Sequence, residues 1–355
     1  VGSEMCIRDR DKTIDFIKGI LILFVILGHT TLGLTDMYSF DDTMNGIANV
    51  IYSFHMPCFI AVSGFLYSEY VGNVSQGIFS RICHKAFNIL LPYVMISVIY
   101  WIIKFALSNL IREPVAVSSL ISIPWKPIEF LWYLYALFLL YCVAYMVDYV
   151  FARLLPHFNY KMELLFVLFL IIALTCYGSF HYVGFNYIAG FQMYFYLGCL
   201  IKKWLDKLDN RYAVLSLAVM SVLVESSGIV LQDDMSSNPL CSSLFERFTA
   251  CIVTVFIFAV SYFLSGYCDF PKWLQTIGRD SMPFYAMNVI FVGGIRIILN
   301  RAGITNMVLQ CICGFAGSTA ICWILYECII KKIRLIDFIF LSLIHISEPT
   351  RLDVI

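Results

Sequence analysis

Charge is scarce in this chain. Of its 355 residues only 14% are Asp, Glu, Lys or Arg, and 24 acids balance 24 bases. A soluble domain carries about 25% charged residues. The shortfall argues against a water-soluble particle of this size. The zero net balance also gives no global field to draw in a nucleic acid or another strongly charged partner. Metal-binding and disulfide patterns are missing too. There are 13 Cys, an odd total, with no CxxC pair. Cys142, Cys176, Cys199, Cys251, Cys311, Cys313 and Cys322 sit in apolar runs, where cysteine serves as a small hydrophobe. Neither a zinc site nor a secreted disulfide framework is expected. No internal repeat is evident, and no loop is long enough to fold as a soluble catalytic domain.

What the chain has in abundance is apolar surface, at 61% of residues. A membrane-crossing helix needs about 20 apolar residues. Ten runs qualify, at 17–35, 47–67, 88–110, 128–150, 162–179, 183–200, 212–231, 245–265, 281–299 and 304–330. Long runs of this kind leave helices as the only sensible spanning element. The expected fold is therefore all-α: a polytopic membrane protein of about ten transmembrane helices with no soluble domain, covering residues 11–334. The end segments 1–10 (VGSEMCIRDR) and 341–355 (LSLIHISEPTRLDVI) read like translated adapter DNA, so no functional role is expected of their residues. The first apolar run lacks a small-residue cleavage site, so no cleavable leader is expected.

Lys and Arg mark the side on which each loop lies. The loop TDMYSFDDTMN has none, the next carries Arg81 and Lys85, and GSFHYVG again has none. Lys202, Lys203, Lys207 and Arg211 fill a later loop, and Lys331, Lys332 and Arg334 come after the last run. Basic and non-basic loops alternate almost perfectly, the third being mixed, with Arg112 and Lys126. That pattern predicts ten spans with both ends in the cytoplasm.

Ionisable residues inside such runs are costly and mark function by default. The first run, IDFIKGILILFVILGHT, holds Asp15, Lys18 and His29. Lys18 and His29 are eleven residues apart, so they fall within about 20° of one helix face and roughly 16 Å apart along the axis. Asp15 and Lys18 also fit a plain end-of-helix pair, with the lysine reaching towards headgroups. His29 also fits a hydrogen-bonded core histidine. The second run, IYSFHMPCFIAVSGFLY, brings His55 to a comparable depth, with Pro57 to break the helix and Ser63–Gly64 to allow close packing. Two histidines at one depth suggest a shared polar cavity; His55 also fits a cap on the turn broken by Pro57. Arg81 and Lys85 lie one turn apart, a spacing suited to phosphate or to topology alone. Glu129 and Trp132 enter the fourth run from outside, where tryptophan also serves as an interfacial anchor. Asn186, Gln192 and Asn288 are polar residues that bond between helices as readily as they line a site.

Taken in order, IDFIKGILILFVILGH, SFHMPCFIAVSGFLY, the basic turn before LLPY, LWYLYALF and IGRDSMPFYAMN resemble the membrane-bound acyltransferase 3 family. The resemblance is greatest to its fucose 4-O-acetylase-like branch. It runs from residue 12 to 334. It implies a ten-span core and transfer of an acyl group, usually acetyl, from cytoplasmic acetyl-CoA to a hydroxyl of a surface carbohydrate or glycolipid. The family's first-span histidine falls on His29. The basic residue eleven before it, often Arg, is here Lys18, which gives up a bidentate grip. A motif that often ends in His ends here in Asn288.

The resemblance then implies roles. His29 and His55 are the catalytic candidates, His29 as general base or transient acyl carrier. Lys18, Arg81 and Lys85 would hold the coenzyme A phosphates. Asp15, Ser63, Glu129, Trp132 and Asn288 would line the substrate path. Acetyl-CoA enters as a substrate and no tightly bound cofactor or metal is expected; the partners are the acyl-CoA, a carbohydrate or lipid-linked sugar acceptor and membrane lipids. The expected location is the inner membrane. Two rival readings are a transporter or flippase for a lipid-linked sugar, and a structural membrane protein whose polar residues only pack.

Overall fold

The computed structural model describes residues 12–35, 42–70, 77–106, 118–155, 158–176, 178–180, 182–208, 210–236 and 239–332. The end segments 1–10 and 341–355 lie outside these. Among the described residues all regular structure is helical. In chain order the helices are α1 (Lys12–Thr35), α2 (Asp42–Tyr70), α3 (Ile78–Lys85), α4 (Leu91–Ala106), the short α5 (Ser118–Ser122), α6 (Trp132–Leu154) and α7 (Lys161–Cys176). They continue with α8 (Val183–Leu208), α9 (Arg211–Ser236), α10 (Pro239–Ser265), the short α11 (Lys272–Arg279), α12 (Ser281–Arg301) and α13 (Met307–Cys328). A π-helical turn, Ala86–Leu90, joins α3 to α4 without a break. With α3–α4 counted as one rod, these are ten long rods, matching the ten apolar runs.

Seven of them are long and apolar enough to cross a membrane. The other three are α7, with 16 residues, and the more polar α8 and α9. The chain is a multi-pass membrane protein, and no soluble domain is evident among its described residues. Its outward faces fit that setting: Leu164, Val167, Leu168 and Ile171 on α7 and Leu215, Val219, Val222 and Leu223 on α9 are exposed. An apolar surface of this extent needs lipid rather than water around it.

α1 lies at the centre. It packs on α2, α10, α11, α12 and α13, so Ile17, Leu21, Ile22, Val25 and Ile26 are all buried. A helix apolar on every side is the sequence solution for that position. Lipid gives helices no hydrophobic reason to associate, so close approach of small residues carries much of the packing. Two glycine contacts show it. A Cβ on Gly64 of α2 would stand 1.8 Å from the Phe195 carbonyl oxygen of α8, and one on Gly198 would stand 1.9 Å from that of Ala61. At the start of α1, a Cβ on Gly278 would meet the Asp15 carbonyl oxygen at 1.7 Å, which seats α11 directly on the α1 backbone.

The π turn has a local cause. Pro92 has no N–H to offer the carbonyl of Asn88, and its ring would clash with that carbonyl in a regular helix. Widening the preceding turn removes the clash and continues the rod.

Candidate active site

The upper part of α1 meets α2 in antiparallel fashion. Phe24 packs edge-on against Phe54 with centroids 5.2 Å apart. One turn further on, the Oη of Tyr52 lies 3.2 Å from Nδ1 of His29. The Tyr52 ring also stands edge-on to His55, at 4.9 Å. His29 and His55 therefore sit on either side of one tyrosine. Phe130, at the mouth of α6, closes the other side of His29 with its ring centroid 6.1 Å away. The Phe130 carbonyl accepts a hydrogen bond from Tyr285 of α12.

The two imidazoles differ. His55 is 2% exposed, and its Nδ1 lies 2.6 Å from the Ile51 carbonyl. A carbonyl only accepts, so that nitrogen carries the proton and His55 is tied to its own helix. His29 is less buried, and its Nδ1 faces the Tyr52 hydroxyl of a neighbouring helix instead. If Nδ1 of His29 donates to Tyr52, its Nε2 keeps a lone pair, the state a base needs.

Two charged residues near this level were not singled out in the sequence. Glu225 of α9 accepts a 2.9 Å hydrogen bond from Ser53, the residue after Tyr52. Arg296 of α12 reaches α1, where a Cβ on Gly33 would stand 2.0 Å from its Nη1. Both lie inside long helical runs, in VLVESSG and VGGIRII. An acid or base interrupting such a run is the signal that would have found them.

At the other end of α2 a second cluster forms. Arg81 lies over the Tyr145 ring at 4.2 Å and Lys85 over Tyr141 at 4.1 Å. Tyr67 and Lys161 both bond the buried Asp148. The Tyr141 hydroxyl donates to the Ser63 carbonyl at 3.3 Å, which brings Ser63 to this cluster rather than to the histidines. Arg81 and Lys85 therefore turn inward onto tyrosine faces instead of only lining a loop.

The remaining candidates are spread out. Lys18 pairs with Asp15 at 3.3 Å, at the start of α1 beside α11. Next to that contact, Asp280 is buried by Tyr326, which donates to it, and by Arg279 at 2.9 Å. The hydrogen bond to Asp280 pushes the Arg279 guanidinium pKa up, so it stays charged. Trp132 stacks on Tyr187 of α8 at 5.3 Å and 23°. Asn288 is fully buried and its amide donates to the Phe284 and Tyr285 carbonyls of its own helix, at 3.0 and 2.7 Å. Asn186 likewise caps the turn before α8, accepting from Gly178 N at 3.0 Å. The Glu129 side chain lies outside the described residues.

A histidine of the central helix thus meets a tyrosine of its antiparallel neighbour within a bundle of membrane-crossing helices. The family model described as an acyltransferase domain, acyltransferase 3, matches residues 11–327, and the chain belongs to that family. It is similar to two proteins named nodulation protein NolL. One, from Mesorhizobium japonicum, is 30% identical over 156 residues, which are 43% of this chain and 38% of that protein. The other, from Sinorhizobium fredii, is 37% identical over 86 residues, or 24% of this chain and 23% of that protein. The chain thus spans less than half the length of either curated relative. No solved structure matches it.

Proposed function

We propose that the protein is an integral-membrane O-acyltransferase that moves an acyl group, acetyl in the first instance, from cytoplasmic acyl-CoA to a hydroxyl of a surface carbohydrate or glycolipid. The observation that carries this is the His29–Tyr52 pair, 3.2 Å apart, between the central helix α1 and its neighbour α2 in an acyltransferase-family bundle. Transfer to an alcohol needs a base for the hydroxyl proton, and a His29 whose Nδ1 donates to Tyr52 would offer the Nε2 lone pair for it. The bias of the basic loops supports a cytoplasmic start of α1, with both ends of the described chain on that side. Arg81, Lys85 and Lys18 then face the compartment that supplies acyl-CoA, and their charges suit its phosphates. His29 lies towards the outer side, where a lipid-linked or surface sugar would be met, with Trp132 and Glu129 near its entry. The inner membrane is the location this reading requires.

Detergent-purified protein incubated with acetyl-CoA labelled in the acetyl group, and with octyl α-L-fucoside as acceptor, tests it. The expected result is coenzyme A release with label on the fucoside, abolished in His29→Ala that elutes as wild type does. Full activity in that variant, or no transfer by wild type alongside movement of a lipid-linked sugar across a vesicle, would overturn the reading.

A further inference from the structure

Acyl transfer also needs a group to hold the negative charge that develops on the acyl oxygen. The structure assigns that role to Arg296, as the oxyanion-stabilising residue; the assignment rests on the acyltransferase reading.

The first argument is where the side chain goes. Arg296 lies in α12 five residues before its last, Arg301. An arginine so placed would ordinarily run to the nearest headgroups. Here it is only partly exposed, and its guanidinium lies on the α1 backbone: a Cβ on Gly33 would stand 2.0 Å from Nη1 and 3.2 Å from Cζ. The absence of a side chain at Gly33 is what makes room for it.

The second is what shares that surface. Gly33 and His29 are four residues apart on one helix, so they lie on one face with Cβ positions about 5–6 Å apart. The guanidinium and the imidazole therefore border the same patch of α1. A reacting centre needs its base about 3 Å to one side and its oxyanion donor about 3 Å to the other. The i,i+4 spacing of about 5–6 Å is of the same size as that sum.

The third is charge. Arg296 sits at the end of the bundle opposite the basic loops, against the general bias of Lys and Arg, and a cation inside a span is costly. A guanidinium stays charged and presents several N–H groups in a rigid fork, so it needs no reorganisation as charge develops. In the proposed step the acceptor hydroxyl oxygen bonds to the thioester carbonyl carbon and its proton passes to Nε2 of His29. The carbonyl electron pair moves onto oxygen, beside Arg296. Collapse of that oxyanion restores the carbonyl, breaks the carbon–sulfur bond and releases the coenzyme A thiolate, which takes the proton back from His29.

The test uses full-length protein, acetyl-CoA and octyl α-L-fucoside. R296A is expected to lose about 100-fold or more in kcat, the usual effect of removing an oxyanion donor, with both KM values within about threefold. Millimolar guanidinium chloride should restore part of kcat in R296A and do nothing for wild type. R296K should retain more than R296A, and G33A, which evicts the guanidinium, should lose kcat as R296A does. An R296A kcat within about threefold of wild type overturns the assignment, and so does a loss that guanidinium fails to raise. Should R296A aggregate, G33A decides: wild-type kcat overturns the assignment and a kcat loss at constant KM supports it. A wild-type protein inactive on the fucoside instead overturns the acyltransferase reading and takes this inference with it.

Discussion

Ser53 donates to Glu225 across 172 residues of sequence, at 2.9 Å, and so ties α2 to α9 at the level of Tyr52. The same hydroxyl also reaches the Val50 carbonyl of its own helix at 2.8 Å. Glu225→Ala and Ser53→Ala remove the same bond. Each should therefore lower stability by about 1 kcal/mol, and the double variant should lose no more than the larger single loss. Thermal melting in detergent measures this; additive losses would mean that the two residues act separately.

Tyr52→Phe removes the hydroxyl that orients His29 but keeps the ring against His55. Transfer should fall by about tenfold, a small part of what a positioned base contributes. His29→Ala should remove it, and adding Tyr52→Phe to His29→Ala should cost nothing more, because residues acting as a unit are not additive. Steady-state kinetics of the three variants check it.

Arg81→Glu places a carboxylate over the Tyr145 ring where a cation now sits. KM for acetyl-CoA should rise about tenfold or more, roughly one charge-assisted contact, while KM for the acceptor holds. Arg81→Lys keeps the charge without the fork and should fall between the two. Equal loss of donor and acceptor binding would point to a folding defect.

Gly64→Ala forces a Cβ to within 1.8 Å of the Phe195 carbonyl, which is backbone and cannot swing aside. Overpacking typically costs about 1–3 kcal/mol, so the melting midpoint should drop clearly. Gly46→Ala meets nothing within 4 Å and should leave it unchanged or raise it, since alanine is the better helix former. The contrast between the two variants, read by melting in detergent, separates close packing from helix propensity.

The helical bundle was legible because membrane spans write themselves as long apolar runs. Each of the ten runs became a long rod, and the helix face carrying Lys18 and His29 follows from spacing alone. His29 is legible as a candidate because a histidine stands out on an aliphatic background. Tyr52 was not: tyrosine is common near membrane interfaces, and only the antiparallel register of α1 and α2 gives its hydroxyl a partner. Glu225 and Arg296 do break apolar runs, yet no spacing links either to His29, since their partners come from distant helices. The inward turn of Arg81 and Lys85 depends on tyrosines more than fifty residues away, and α11 is too short and polar to register as a span. Burial of Asn288 in its own helix is likewise a packing outcome that the motif could not foretell.

The wide turn between α3 and α4 also sets how the chain can change its length. A π turn holds one residue more than a regular turn, and each residue added or removed rotates everything beyond it by about 100°. Deleting a single residue from the regular stretch Leu91–Ala106 would turn the rest of the rod by that angle, whereas the wide turn at Ala86–Leu90 takes up its extra residue and keeps Arg81 and Lys85 aimed at Tyr145 and Tyr141. A loop would absorb the same deletion with little effect. The wide turn therefore lets Pro92 sit within the rod without altering the aim of the two cations.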